Sequence, residues 1–267
     1  MAPGLIPSVS ADEPQVRTSS ADVDLGTATP GHLRGTVGLS SATLGLSDHV
    51  LLGTYVAPWL IAAFFDDSIA PNAFARVEFL RTKGFSASLS SSLFYARLGD
   101  VDSDGLKARA LIWPLRAHAA YRWHHRHATT LELGTVYSSI TGDSPGQNDT
   151  RVHGVAIARS SHLGIIQRMR LTKRLSIWGR MRFLLGHSPV KADAQSDLSE
   201  SLRVHVEARA NASELSSGVA GVAGVHLEWK RFALTAGAGY GTWFLPAIYL
   251  PVGQNAPIGE LKFYFRF

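Results

Sequence analysis

Apolar and polar side chains alternate along most of the chain from residue 33 to the C-terminus, in segments of about ten residues. In residues 85–90, the apolar side chains of Phe85, Ala87 and Leu89 alternate with serines. Because successive side chains of a β-strand point to opposite faces, this alternation predicts strands with one apolar and one polar face. The same pattern recurs in residues 73–79, 113–123, 165–171 and 177–183, with arginine on the polar face.

Two short connections allow the register of this pattern to be checked, because a hairpin places apolar residues of both strands on one face. A two-residue turn at 230–231 and a three-residue turn at 172–174 each pair apolar residues with apolar residues. The pairs are Trp229 with Phe232, Leu227 with Leu234 and Val225 with Ala236, and then Leu171 with Leu175, Met169 with Ile177 and Ile165 with Met181. Both hairpins therefore support an antiparallel arrangement.

Short and long connections follow one another along the chain. The short ones lie near residues 47–49, 82–84, 124–127, 172–174 and 230–231, and the long ones cover 66–71, 99–107, 142–151, 187–214 and 246–256. This arrangement is typical of all-β, closed antiparallel transmembrane barrels with short periplasmic turns and longer extracellular loops. Eleven strands can be counted, and an even number requires a twelfth, which we expect within residues 16–29. We predict about twelve strands, with ten to fourteen compatible, although residues 33–60 show no consistent phase.

A soluble barrel would alternate in the same way with its apolar face inward, so the aromatic residues decide between the two. They gather at both ends of the predicted strands, as membrane-interface girdles do. One set is Phe79, Phe85, Tyr121, Trp123, Trp229, Phe232, Phe265 and Phe267, and the other is Trp59, Tyr95, Trp113, Tyr137, Phe183, Tyr240 and Phe244. Ten residues separate Trp113 from Trp123, close to the roughly 9–11 residues of a membrane-crossing strand. The apolar face is therefore predicted to face lipid.

The composition is compatible with one barrel in a chain of 267 residues, with 18% charged residues and a mean hydropathy of +0.05. The longest apolar stretch, residues 56–65, is shorter than the roughly 20 residues of a membrane-spanning helix. The chain has no cysteine, which excludes disulfides and thiolate chemistry. The net charge of +5 does not by itself select a partner.

Residues 1–30 are expected to form an N-terminal segment separate from the barrel of residues 31–267. Val9, Ser10 and Ala11 before Asp12 have the small residues of a signal-peptide cleavage site, but no basic and long apolar stretch precedes them. The segment is either the remnant of a signal peptide or an ordinary terminus. It could also contribute the first strand or occupy the lumen.

The last strand ends with Leu261, Phe263, Phe265 and Phe267 at alternate positions, the final residue being phenylalanine. This ending resembles the C-terminal assembly signal of Gram-negative outer-membrane β-barrel proteins. The resemblance implies an outer-membrane location, contact with lipid and lipopolysaccharide, and recognition by the barrel assembly machinery. More weakly, residues 44–48 and 52–54 are similar in style to small outer-membrane barrels of myxobacteria.

Two groups of residues could hold a metal. Asp100, Asp102 and Asp104 open a sequence like that of a calcium loop, but Leu111 stands where such loops carry a bidentate glutamate. The alternative is a solvated acidic loop, so no cofactor is expected beyond a possible Ca²⁺. The histidines at 124, 125 and 127 lie in a short turn, where neighbouring side chains usually diverge.

A hydrolytic site could be formed by Ser160 and His162, which share one face of a strand. Their sequence neighbours supply no obvious carboxylate to orient the histidine, so the chain is not expected to be an enzyme. The glycines at 237, 239 and 241 also share a face, where they would leave room inside the barrel or permit curvature.

Two functions remain for the predicted basic lumen. A scaffold or anchor of an envelope machine, of the motility or polysaccharide-export type, would use the charges as a salt-bridged core with envelope proteins as partners. The alternative is a narrow, porin-like channel that favours anions. No nucleic-acid partner is expected, and an acylhydrolase ranks third. The predicted lumen-lining bases are Arg76, Arg116, Arg122, Arg168, Arg170, Arg180, Arg182, Lys262 and Arg266, against the acids Glu78, Glu132, Glu228 and Glu260.

Overall fold

The computed structural model describes residues 32–63, 69–82, 84–98, 107–124, 126–145, 151–187, 190–199, 202–210, 218–244 and 251–267. They form antiparallel β-strands and one short helix. The strands are β1 (Gly35–Gly38), β2 (Ser41–Gly45), β3 (Val50–Tyr55), β4 (Asn72–Arg81), β5 (Phe85–Leu98), β6 (Lys107–His124), β7 (His127–Pro145), β8 (Arg151–Arg170), β9 (Leu175–His187), β10 (Val190–Ser199), β11 (Leu202–Ala210), β12 (Val219–Glu228), β13 (Phe232–Phe244) and β14 (Pro251–Arg266), with helix α1 (Val56–Ala63) after β3.

Twelve of these strands close into a ring. Strands β1 to β9 follow one another around it, β9 pairs with β12, and β13 and β14 complete the circle by pairing with β1. All pairings are antiparallel. The prediction of a closed, all-β barrel of about twelve strands is confirmed.

The two faces of the wall differ in the way that the alternation predicts. On β6, Trp113 and Trp123 are exposed on the outer face, whereas Arg116 and His118 are buried on the inner face. Exposed apolar side chains cover the outside of the described strands, and aromatic residues stand at both edges of this surface. The exposed aromatics are Phe79, Tyr121, Trp123, Trp229, Phe232, Phe263, Phe265 and Phe267 towards the short turns, and Trp59, Trp113 and Tyr240 nearer the long connections.

Both predicted hairpin registers are confirmed. Leu227 pairs with Leu234 across β12 and β13, and Met169 pairs with Ile177 across β8 and β9. The turns are closed by main-chain hydrogen bonds, such as that from the Trp229 amide to the Phe232 carbonyl at 2.8 Å. Apolar pairing on the outer face and the main-chain hydrogen bonds of the turns thus fix these hairpins together.

The strand that brings the number to twelve does not come from residues 16–29, which lie outside the described residues, because the ring closes without them. It comes from the stretch with no clear phase, where β1 and β2 are separate strands joined by a turn at Leu39 and Ser40. Strands of four and five residues are too short to carry a period-two signal, which is why the sequence suggested one segment.

The strands are short in one sector of the barrel wall. Strands β1, β2 and β3 have only four to six residues, while β6, β7 and β8 have 18 to 20. Helix α1 continues directly from β3, and the Val56 amide that begins it donates to the Ser40 carbonyl at 3.0 Å. The apolar stretch that includes α1 is therefore partly helical. No helix in the described part of the chain has both the length and the hydrophobicity to span a bilayer.

The connection predicted as a long loop at 187–214 contains a hairpin instead. Strand β10 pairs with β11, and also with residues 151–157 of β8. The hairpin thus continues the sheet beyond the ring. Its signal is present in the sequence, because β11 alternates Val204, Val206 and Ala208 with charged or histidine residues, but small and charged residues elsewhere concealed it.

Candidate functional site in the barrel lumen

Glu132 on β7 is the centre of a polar cluster on the inner wall. Its Oε1 atom accepts a hydrogen bond from Arg182 Nε at 3.2 Å and also lies 3.2 Å from His162 Nε2. Its Oε2 atom is 3.1 Å from His118 Nε2. Arg116 Nη1 is 4.0 Å from the same carboxylate. Only 3% of the Glu132 side chain is exposed. A carboxylate removed from water is thus surrounded by the cationic and imidazole groups of three other strands, as buried charge requires.

The backbone register explains how this cluster forms. His118, Glu132, Gly164 and Arg182 occupy one row across β6, β7, β8 and β9. A Cβ atom on Gly164 would lie 3.1 Å from the Cβ atom of Glu132, so the absence of a side chain there leaves space for the carboxylate. The side chains of Glu132 and Arg182 can therefore meet above β8.

The neighbouring row uses a second glycine in the same way. Gly134 on β7 stands opposite His162 on β8, and a Cβ atom on Gly134 would lie 2.5 Å from His162 Nε2. The imidazole therefore lies across the position of the missing side chain. Two glycines, one on each of the adjoining strands, allow four strands to place their polar groups around one carboxylate.

A second row of small residues accommodates a large aromatic side chain. Trp178, Gly224, Gly237 and Glu260 are in register across β9, β12, β13 and β14. Cβ atoms added to either glycine would lie 2.8 Å from Cζ2 of the Trp178 ring. Gly237 therefore leaves room inside the barrel, as predicted, and the indole of Trp178 occupies that room.

Arg180 on β9 reaches across this row to β14. Its guanidinium lies 5.5 Å from the centre of the Trp178 ring and forms an ion pair with Glu260 on β14. Lys262 Nζ is 2.7 Å from the other oxygen of Glu260. Two bases from different strands therefore share one acid over a surface of glycine and tryptophan.

Towards the short turns, the remaining acids are also paired. Glu228 forms an ion pair with Arg266, and Glu78 with Arg81. Every acid predicted for the lumen is thus held by a basic residue of the described chain.

The inner wall is not polar throughout. Nearer the long connections, Phe94, Ile112 and Val136 form a buried apolar cluster against Tyr55. The rings of Tyr55 and Phe94 are stacked at 5.2 Å. The expectation of a polar interior is therefore wrong for this level of the barrel. The sequence carries the signal, since apolar runs such as residues 111–113 predict burial on both faces.

The structure places all nine predicted lumen bases on the less exposed, inner side of their strands. It brings two groups of them together around acids, one around Glu132 and one around Glu260. Arg170 lies near a short turn and donates to the Lys173 carbonyl at 3.4 Å. The inward bases, with their burial, are Arg76, Arg116 and Arg182 (buried) and Arg122, Arg168, Arg170, Arg180, Lys262 and Arg266 (half-buried).

Ser160 and His162 lie on the inner face of β8, and both are buried. The expectation that no carboxylate orients the histidine is wrong, because Glu132 reaches it from the neighbouring strand. The sequence did not show this contact, since it predicted a loop over residues 142–151, whereas β7 and β8 remain paired as far as Pro145 and Arg151. Glu132 is shared with His118 and Arg182, and the Ser160 hydroxyl makes no hydrogen bond within the described residues. The set therefore has the form of a packed polar core.

The candidate calcium ligands Asp100, Asp102 and Asp104 lie outside the described residues. Within the part of the chain that the structure describes, no group of three or more histidine and acidic side chains is arranged to hold a metal. His124 and His127 pair across the turn and are both exposed.

The residues of the predicted assembly signal occupy the outer face of β14. Leu261, Phe263, Phe265 and Phe267 are all exposed. Phe265 packs edge-on against Phe232 of β13, with ring centres 5.4 Å apart, and Phe267 exchanges main-chain hydrogen bonds with Gly35. The C-terminal strand is thus also the strand that closes the ring with β1.

The fold can be compared with solved barrels. The chain is similar to the translocator domain of the autotransporter NalP from Neisseria meningitidis, with 11% identity and a TM-score of 0.48 over 92% of this chain and 90% of that one. It is also similar to the P. putida toluene transporter TodX, with 9% identity and a TM-score of 0.43 over 87% of this chain and 66% of that one. At these values, the likeness implies nothing about what this chain binds. No protein-family model and no curated protein sequence matches the chain.

Proposed function

We propose that the protein is an integral barrel of a Gram-negative outer membrane that acts as a non-enzymatic scaffold or anchor within the cell envelope. The observation that carries the membrane assignment is the outer surface of the ring. It is apolar between two levels of exposed aromatic residues, and such a surface on a soluble protein would be an aggregation site.

The height of this surface fits a bilayer. Trp113 and Trp123 lie ten residues apart on β6, which at a rise of roughly 3.3 Å and a tilt of about 40° corresponds to about 25 Å. The indole Nε1 of Trp113 donates to Ser91 at 2.8 Å, and that of Trp123 to Thr129 at 2.6 Å. The polar groups of these lipid-facing side chains are therefore satisfied within the wall.

The scaffold role is supported by the interior. The Glu132 cluster, the Trp178 row and the apolar cluster around Phe94 bury their side chains at successive levels of the lumen. A wall that packs its inward side chains in this way suits a rigid, filled barrel better than a wide aqueous pore. The outer-membrane location and recognition of the C-terminal strand during assembly belong to the same proposal.

A narrow anion channel is the second candidate, and the charge balance of the inner wall favours it. The nine predicted lumen bases outnumber the four predicted lumen acids, so this part of the wall retains an excess of positive charge after those acids are paired. An anion passing such a wall would be stabilised, and a cation repelled.

Planar-bilayer recordings of the purified, refolded protein test the two roles. The scaffold predicts no steady conductance. Anion-selective steps that weaken in the variant Arg168→Gln/Arg180→Gln would support the channel instead.

Membrane integration is tested separately: the protein should resist alkaline carbonate extraction and migrate differently on gels before and after boiling. Release into the carbonate supernatant would contradict the whole assignment.

A further inference from the structure

The short turns and the long connections of the barrel differ in charge. The five short turns, at 46–49, 82–84, 125–126, 172–174 and 230–231, contain six lysine or arginine residues and one acid, Asp48. The long connections at 64–68, 99–106 and 146–150 contain six aspartates and no lysine or arginine. The short turns are therefore basic and these long connections acidic, and we name the end with the short turns the short-turn rim.

The described basic side chains of the rim turns are accessible on the surface of the barrel. Arg126, Lys173, Arg174, Lys230 and Arg231 are all exposed. Among the described residues of this end, the acids are Asp48, Glu78 and Glu228. Two of these acids are already neutralised by other arginines, Glu78 by Arg81 and Glu228 by Arg266. The rim thus keeps an excess of exposed positive charge.

These bases stand directly beside the aromatic girdle. Trp229 and Phe232 flank the turn of Lys230 and Arg231, and both aromatics are exposed on the outer face. Trp123 precedes Arg126 by three residues and is also exposed. Tryptophan marks the level of lipid head groups, so the ammonium and guanidinium groups one to three residues farther on lie at the level of the phosphates.

We propose that the short-turn rim binds the anionic head groups of phospholipids in the adjoining leaflet. This inference rests on the proposed membrane location. Its chemical basis is the pairing of arginine and lysine with phosphate around the whole circumference, since the bases come from turns on several sides of the ring. Lipids of net negative charge would then stabilise the folded barrel more than zwitterionic lipids do.

The test compares vesicles of phosphatidylcholine with vesicles in which about one third of the lipid is phosphatidylglycerol. The full chain is folded into each, and unfolding is followed by loss of heat-modifiable migration. We expect the midpoint to be higher in the anionic vesicles by about 5 °C or more at low salt. The difference should shrink strongly at about 1 M salt, where the screening length is about 3 Å. Inorganic phosphate added to neutral vesicles should not reproduce it.

Two triple variants with equal changes in charge locate the effect. Arg174→Gln/Lys230→Gln/Arg231→Gln removes three exposed bases from the rim, whereas Arg97→Gln/Arg109→Gln/Arg159→Gln removes three from the opposite end. The first should lose most of the response to phosphatidylglycerol, and the second should keep it. Retention of phosphatidylglycerol by the native protein, measured by mass spectrometry, gives a second readout that needs no variant.

The outcomes separate this inference from the membrane assignment. If the native barrel folds equally well in both vesicles and retains no phosphatidylglycerol, the lipid proposal is overturned, and an acidic periplasmic protein becomes the better partner for the rim. Equal loss in both triple variants would also overturn it, since the effect would then depend on total charge. Failure to enter vesicles of either composition would contradict the proposed membrane location itself.

Discussion

Gly134 on β7 lies directly opposite His162 on β8, and the imidazole of His162 occupies the space that a side chain at position 134 would need. The contact matters because His162 is fully buried and is one of the groups around Glu132. Replacement of Gly134 by alanine should displace the ring and lower the free energy of unfolding by about 1–3 kcal/mol, the usual cost of overpacking. Urea unfolding in vesicles measures the change.

The same strand offers a matched control. A Cβ atom on Gly142 would meet nothing within 4 Å, so Gly142→Ala should leave the free energy of unfolding almost unchanged. Equal destabilisation by both alanines would show that general strand effects, and not the packing of His162, determine the cost.

Neutralising Glu132 should be among the most damaging single changes in the barrel. Glu132→Gln removes the negative charge that compensates Arg182 and Arg116 at a buried position. Breaking a buried ion pair from one side usually costs about 3–5 kcal/mol, because the remaining charge stays without compensation. Thermal unfolding of the refolded barrel should show a marked decrease in midpoint.

Glu228→Gln is the comparison for that change. Glu228 pairs with Arg266 near the short turns, where both side chains are more exposed than Glu132, and Arg266 also donates to the Trp229 carbonyl. We expect a loss of about 1 kcal/mol or less. A larger effect at Glu228 than at Glu132 would argue against the central cluster as the main polar support of the fold.

Deletion of Phe267 should reduce the amount of folded barrel recovered from cells, because this residue joins β14 to the start of β1 and ends the predicted assembly signal. Phe79→Ala removes an aromatic side chain exposed at the same end of the ring, on β4. Heat-modifiable yield should fall much more for the deletion than for Phe79→Ala. Similar yields from both would indicate a general aromatic contribution without a terminal signal.

The orientation of the barrel can be read with single cysteines, since the native chain contains none. Lys173→Cys places a thiol in a short turn, and Gln195→Cys places one in the hairpin of β10 and β11. In intact cells, a membrane-impermeant maleimide should label Gln195→Cys and label Lys173→Cys only after the outer membrane is permeabilised. The reverse pattern would show that the short turns face outward.

The hairpins at 172–174 and 230–231 could be predicted to the residue, because tight turns between apolar pairs leave one acceptable register. That register also implies that Gly164 faces Arg182. The position of Glu132 beside them was not inferred, since the polar residues of 142–151 predicted a loop there and hid the paired ends of β7 and β8. Hence the bases of the lumen were recognisable from alternation, whereas the arrangement around one carboxylate required the structure.

The short strands show a different limit. In β1 the burial pattern covers only four residues, and Gly35 and Gly38 contribute no side chain to an alternation. Local periodicity carries little information at that length. Pairing with β14 and β2 holds the strand in place, and such long-range contacts are not visible in a sequence window.

Strand β8 changes its neighbour part-way along its length: from Ser160 to Arg170 it pairs with β9, and from Arg151 to Ile157 with β10. The circumference of the ring therefore does not depend on the hairpin of β10 and β11, which pairs only with residues 151–157 of β8. Substitution, lengthening or exchange of the β10 and β11 hairpin would therefore change the surface beyond the ring while the twelve-strand frame keeps its geometry. The two parts of β8 thus serve separate structures, since one belongs to the ring and the other supports the hairpin.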